Sequence, residues 1–484
     1  MGKDSIKVPI LEMLGEHIAK RTISMHVPGH KNGVILQEDT PSSLKSVFPW
    51  DLTELSGLDD LHEPEEGIKE AEALLTRFYQ TKKSYFLVNG STVGNLAMIL
   101  GSLNKDDAVI VQRNSHKSIM NGLRLAKVKP VFLPPLIDRG TGIPIGVPYE
   151  TILKSLNEYP DVKAIILTYP NYYGMGTELL SIIKEAHKRD VLVLVDEAHG
   201  AHFAAGSPFP QSAISLGADI VVHSAHKTLP AMTMGSYLHI NSDLADQQRV
   251  EEYLRMLQSS SPSYPIMLSL DLARAFLEGY SDIDKEYLME QIMLFKQYFW
   301  NHDELDILES KDSAIQDPLK LIVYHKNGLS GFELQRLMEK EGVYLELASE
   351  KFVLLVLPLL KKGQAFPYGE IIQRLKRINW DSRQGRVSPL LSDLGEDLEL
   401  PRESSLAISY STMEKTPRIM IPLSDACGRI AAETIIPYPP GIPLIQMGEI
   451  ITEDMIGECL SLLKQGAKIQ GGIYLGQQQI QVFE

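Results

Sequence analysis

Two stretches of this chain carry residue types that can act together on one ligand. Val221-Val222-His223-Ser224-Ala225-His226-Lys227-Thr228 runs from β-branched residues into a polar cluster that holds a lysine. Upstream, the apolar run Val191–Val195 passes into Asp196-Glu197-Ala198-His199-Gly200. An amine and a carboxylate at the exits of neighbouring buried strands are what pyridoxal 5'-phosphate (PLP) requires. The amine holds the aldehyde as a Schiff base, and the carboxylate keeps the pyridine nitrogen protonated so that the ring accepts electrons. Desolvation and nearby cations lower a lysine's pKa and make its neutral amine a nucleophile. A solvated lysine just past a strand is the competing reading of Lys227.

Other residues fit the same ligand. Asn89-Gly90-Ser91-Thr92-Val93-Gly94-Asn95 reads as a strand-to-helix junction. Free N–H groups and the positive helix end attract a phosphate there; Gly90 admits close approach, and the hydroxyls of Ser91 and Thr92 add donors. An ordinary helix N-cap uses the same residue types. Ala198 is small enough to let one ring face approach, and His199 reads as a partner near the phenolic oxygen or as a turn histidine. His116, beyond Val111, is read as stacking its imidazole on the ring, against the alternative of a hydrogen-bonded loop residue. Asp-Glu-Ala-His also occurs in nucleic-acid helicases, but the phosphate loop G-x-x-x-x-G-K-[ST] that they need is missing upstream. The pairs His199/His202 and His223/His226 lack a helical scaffold and nearby cysteines, so no metal site is expected.

The elements that must position these residues follow from periodicity. Apolar runs at Ser84–Val88, Ala108–Val111, Ala164–Thr168, Val191–Val195 and Asp219–Val222 read as buried strands. Helical patterns at Gly94–Gly101, Leu180–Arg189 and Gln211–Leu216 lie between them. Alternation of this kind predicts an α/β fold with a mostly parallel sheet, whose strand ends face one ligand crevice. Each run ends in a polar cluster, and this recurrence carries the inference further than any single motif. Glu251 to Tyr280 reads as helical apart from Ser259–Ser263, and a long helix is expected from Ile283 to Asn301. A smaller αβ unit follows, with strands at Leu319–Tyr324, Val343–Leu347 and Phe352–Leu357 and a helix at Ser330–Lys340. Residues 376–403 are polar and acidic and read as a linker. The expected domains are an N-terminal helix and arm (1–60), a large ligand-binding domain (61–300), a small αβ domain (301–390) and a C-terminal domain (391–484).

A chain of 484 residues calls for more than one core. Its net charge of −15 argues against nucleic acid or an anionic membrane as partner, since phosphate binding needs a basic face. Two cysteines form no disulfide framework, and the first residues, with Ile6, Ile10, Leu11, Leu14 and Ile18 at helical spacing, read as an amphipathic helix and not a signal peptide. A cytoplasmic location is expected.

The chain resembles the PLP-dependent Orn/Lys/Arg decarboxylases of the fold type I (PLP-dependent transferase-like) class. The resemblance rests on His26-Val27-Pro28-Gly29-His30-Lys31, Leu58-Asp59-Asp60-Leu61-His62, Arg113-Asn114-Ser115-His116-Lys117-Ser118-Ile119 and the two opening stretches, and on Pro437-Tyr438-Pro439-Pro440-Gly441-Ile442-Pro443 in the tail. It implies a large PLP domain with smaller C-terminal α+β domains, and decarboxylation of arginine, lysine or ornithine in polyamine metabolism. By the same resemblance Lys227 carries the internal aldimine, Asp196 pairs with the pyridinium and His116 stacks on the ring. Ser91, Thr92, Ser224 and His226 surround the phosphate. It also implies a homodimer or higher assembly with the site at the subunit interface, where Ser259–Ser263 reaches a neighbour's phosphate. Without the N-terminal wing of the large inducible members, the chain is similar to the shorter bacterial form, biosynthetic arginine decarboxylase. Asn171 departs from the family's usual threonine before Tyr172.

The expected reaction is loss of the α-carboxylate as CO₂, with the electrons passing into the protonated ring. The distal cation of the substrate needs a carboxylate; Glu433 and the segment Asp51–Glu63 are the candidates, each of which also reads as solvated surface. An aminotransferase or lyase of the same class is the alternative function, and a non-catalytic PLP-binding regulator a weaker one, since no basic recognition helix appears in the first fifty residues.

Overall fold

The computed structural model describes residues 6–380, 403–438, 442–465 and 468–484. The chain divides into two compact units, Met1–Ser102 with Leu192–Ser281, and Leu103–Val191 with Asp282–Glu484.

The first unit holds the strands Lys83–Leu87, Ser236–Ile240, Ile220–His223 and Leu192–Asp196, adjacent in that order. The first two pairings are antiparallel and the third is parallel. Lys83–Leu87, Ile220–His223 and Leu192–Asp196 therefore point the same way, and their carboxyl ends share one edge. Ser236–Ile240 runs against them and is absent from the sequence reading: its alternation is masked because Ser236 and His239 are buried along with Tyr237, Leu238 and Ile240. Helix Gly90–Ser102 packs tightly on this sheet. A Cβ on Gly94 would lie 2.7 Å from Leu87 Cδ1 and 2.8 Å from Val222 Cγ1, so only glycine lets helix and strands approach this closely. The N-terminal helix starts at Pro9, a favoured first-turn residue, and buries Ile10, Leu14 and His17 on one face. It is held by the backbone N–H of Ile10, which donates to the buried carboxylate of Asp271 (3.1 Å).

In the second unit Ala164–Thr168, Ala108–Gln112 and Lys129–Leu133 are parallel neighbours, and Ser404–Ser405 adds an antiparallel edge. A separate antiparallel sheet orders Leu305–Ile307, Lys320–His325, Phe352–Val356 and Leu347–Ala348. Helix Gly331–Lys340 covers part of it and begins with a capping box, Ser330 with Glu333. The expected strand Val343–Leu347 shrinks to its last residue plus Ala348, because the chain turns at Gly342 (φ +74°) and Tyr344 is 80 % exposed. The C-terminal part pairs Arg418–Pro422 with Gln479–Phe483 over a core that includes Leu423, Ile435, Ile445 and Ile480. Most of the expected 376–403 linker and part of the Pro437–Pro443 turn lie outside the described residues. The whole is a large mixed α/β fold with smaller α+β parts toward its C-terminus. Among the described residues no helix is long and apolar enough to cross a membrane.

Candidate active site

The first unit gathers most of the expected site residues at the shared carboxyl edge of its strands. Asp196 ends strand Leu192–Asp196 and is 3 % exposed. Its Oδ2 accepts from Asn95 Nδ2 (2.9 Å) and its Oδ1 from the backbone N–H of Ala198 (3.2 Å). Lys227 sits on the short helix Ala225–Thr228, directly after strand Ile220–His223. Its Nζ lies 3.1 Å from Nε2 of His199. The two loops are tied again by the N–H of Ser224, which donates to the carbonyl of Ala198 (3.3 Å). Amine and carboxylate thus emerge from neighbouring strands on loops that hydrogen-bond to each other.

Gly90, Ser91 and Thr92 form the first turn of helix Gly90–Ser102. Gly90 has φ +77°, and nothing lies within 4 Å of where its Cβ would be. The hydroxyl of buried Ser224 donates to Ser91 Oγ (2.7 Å), which joins the lysine-bearing loop to this helix start. A helix start, a glycine opening and two hydroxyls are groups that could hold a phosphate. His226 lies on the same short helix as Lys227. Its Nδ1 lies 3.0 Å from the carbonyl of Gly235, so Nδ1 carries the hydrogen. Donation to a phosphate would then require the charged ring, and burial, with Lys227 beside it, holds the His226 pKa below its ordinary value.

Asn95 has no role in the sequence reading, although its spacing held the signal. Ser91 and Asn95 are four apart and share a helix face, so the helix that offers Ser91 to Ser224 also offers Asn95 to Asp196. The buried group Glu197, His223 and His239 was also missed.

Other expected residues belong to the second unit. His116 caps helix Lys117–Ala126, its Nδ1 2.8 Å from Ser118 Oγ. Arg113, three residues before it, is fully buried and spends all five donors: on Glu449 (2.6 and 2.8 Å), Ser404 Oγ (2.7 Å) and the carbonyls of Pro443 (2.8 Å) and Leu444 (3.1 Å). Glu433 accepts from the backbone N–H of Gln481 (2.8 Å). Asn171 holds a turn, accepting from the N–H groups of Tyr173 and Met175 (2.9 Å each) and donating to the carbonyl of Pro144 (2.8 Å). Threonine carries its donor and acceptors on one oxygen and cannot present them at two separate positions as this amide does. In the acidic segment Asp59 is structural: its carboxylate accepts from the N–H groups of Glu65 (2.8 Å), Glu66 (2.9 Å) and Ile68 (2.9 Å) at the start of helix Gly67–Tyr79. The Ser259–Ser263 loop is tied within its own chain, Ser259 N–H donating to Asn89 Oδ1 (3.1 Å).

The donor set fits PLP: a buried carboxylate for the ring nitrogen, an amine one loop away, and a hydroxyl-lined helix start for the phosphate.

Comparison with known proteins agrees. Residues 8–309 match the family described as Orn/Lys/Arg decarboxylase, major domain, and residues 402–472 its C-terminal domain. The chain is 43 % identical to the protein YaaO of Bacillus subtilis (strain 168), covering 99 % of each. It is 32 % identical to an arginine decarboxylase of the same organism, over 96 % of this chain and 95 % of the relative. The lysine decarboxylase LdcF of Francisella novicida shares the fold, with TM-score 0.82 at 20 % identity over 99 % of this chain and 81 % of that one.

Proposed function

Because this chain belongs to the Orn/Lys/Arg decarboxylase family and is a PLP-dependent carboxy-lyase acting on a basic amino acid, we propose that its substrate is L-arginine and its products are CO₂ and the corresponding amine. The choice of arginine is supported by near full-length likeness to arginine decarboxylases, at 30 to 32 % identity. The observation that carries the site is the convergence of Lys227, Asp196 and the Gly90-Ser91 helix start on one edge of one sheet.

When bound, PLP supplies an electron sink for the bond that loses CO₂. The residues of the chain do the rest. Lys227 is the amine that tethers the cofactor, and His199 Nε2, 3.1 Å away, exchanges a proton with its Nζ. Asp196 holds a proton on the ring nitrogen, while Asn95 and the N–H of Ala198 fix its two oxygens in place. Gly90, Ser91, Thr92 and Ser224 receive the phosphate, and His226 orients the Ser224–Lys227 turn through Gly235. Ala198 would lie against one ring face, and His116 would be the stacking partner, a role that the family resemblance implies. Glu433 is the candidate for the distal cation. A homodimer with its site at the interface accounts for the exposed apolar arm residues Ile23, Met25, Val27, Val34 and Ile35.

The test is a panel of arginine, lysine and ornithine with PLP, scored for CO₂ and amine. Arginine is expected to turn over fastest. Preference for lysine or ornithine would overturn the substrate, and keto acid in place of CO₂ would overturn the reaction.

A further inference from the structure

Behind the site, on the other side of the sheet, runs a line of buried polar groups that the reaction above does not use. Consecutive side chains leave a strand on opposite sides. Asp196 turns toward helix Gly90–Ser102, whereas Glu197, fully buried, meets Ser212 Oγ (2.6 Å), the N–H of Ala213 (2.8 Å) and His223 Nε2 (2.6 Å). His223 Nδ1 lies 3.1 Å from His239 Nε2, and His239 Nδ1 lies 2.8 Å from Ser84 Oγ. Ser84 in turn meets Thr81 Oγ1 at 2.7 Å. The line crosses all four strands of the unit. Tyr79 seals it, with its ring 5.3 Å from His223 and 4.4 Å from His239 and its hydroxyl donating to the carbonyl of Ala201 (2.8 Å).

With a Glu197 carboxylate and two neutral rings, the protons of the line have one direction. Three donors converge on Glu197, which only a carboxylate accepts in full, so His223 Nε2 carries hydrogen. With both rings neutral, His223 Nδ1 accepts from His239, His239 Nδ1 accepts from Ser84, and Ser84 accepts from Thr81. Burial, with His223 beside it, keeps the His239 pKa well below its ordinary value, in keeping with a neutral ring.

We infer that Glu197 is a positioning residue for the decarboxylation. With His223 and His239 it staples the carboxyl ends of the strands that deliver Asp196 and the Ser224–Lys227 loop, holding carboxylate and amine in register with one ring. The inference rests on the roles given above to Lys227 and Asp196.

Two substitutions separate the staple from mere packing. Glu197→Ala leaves three buried donors without their acceptor. Glu197→Gln keeps these contacts by reversing the line: its amide N–H₂ donates to Ser212 and to the Nδ1–H tautomer of His223, and its oxygen keeps the N–H of Ala213. At saturating PLP, E197A is expected to lose about tenfold or more in kcat with KM nearly unchanged. The visible band of its bound cofactor shifts, and E197Q recovers most of both. Wild-type kcat and spectrum in E197A, with only a lower melting temperature, would overturn the inference; so would an E197Q as impaired as E197A. Should E197A not fold, His239→Asn and Ser84→Ala cut the line farther from the site, with graded losses expected in that order, and equal wild-type behaviour in both contradicts the staple. Lys227→Ala is the control: if it keeps its cofactor band and turnover, the assignment of the site fails, whatever Glu197 does.

Discussion

Both units bury charged groups, and one carboxylate in each, Glu449 and Glu197, is held by different chemistry. In the second unit Arg113 and Glu449 form a two-toothed pair, with the guanidinium's other donors on Ser404, Pro443 and Leu444. In the first, Glu197 is met by the imidazole of His223, which is backed by that of His239. An arginine does not lose its proton at working pH, and its fork ties together segments distant in sequence. The histidine line joins strands that are already paired, and the stability it contributes depends on pH. The arginine anchor is thus a device for holding the fold, and the histidine line one for holding a site.

Removing the arginine anchor should have the largest effect. Arg113→Ala leaves Glu449 buried without its cation, which costs about 3–5 kcal/mol. Chemical denaturation should show this loss, and a change under about 1 kcal/mol would erase the contrast. Next comes a buried carboxyl that has no arginine. Glu72 is 2 % exposed, and burial pushes its pKa up to about 7, against the weaker pull of Lys83 and the N–H of Phe86. The folded chain then binds more protons than the unfolded one between the ordinary value of 4.5 and about 7, so stability falls as pH rises through that window. Glu72→Gln should remove this fall, gaining about 1–3 kcal/mol at pH 8 and little at pH 4.5. Melting curves at the two pH values check it.

The smallest effect concerns His239, whose pKa is lowered chiefly by burial and then by His223. Its ring stays neutral when folded but takes a proton in the unfolded chain below the ordinary value of 6.5. The contribution is therefore complete above that pH and is lost as acid is added. His239→Asn should flatten the acid side of the stability curve by roughly one proton. An unchanged acid slope in His239→Asn would remove the titrating character of the line.

Much of the site was legible before any coordinates because its parts lie at strand exits, where local patterns of apolar run, glycine and polar cluster are strong. Lys227, Asp196 and Ser91 were singled out in this way, and the structure brings them to one edge of a sheet. Glu197 and His239 were not, since a buried polar residue inside an apolar strand breaks the pattern that marks a strand, and its partners become visible only once Ser236–Ile240 is paired. Arg113 stood in a noticed motif without a role, because its partners lie 291 to 336 positions away. Asp59 and Glu433 read as candidates for a substrate's cation, yet their carboxylates accept from backbone N–H groups, contacts that composition does not reveal.

The central claim, that the amine at position 227 holds the cofactor, has a direct measurement. The protein is incubated with PLP, reduced with borohydride and digested, and its peptides are weighed. A single pyridoxyl addition on the peptide bearing Lys227, lost in Lys227→Ala, is the expected result; addition at a different lysine, or none on the wild-type chain, contradicts it.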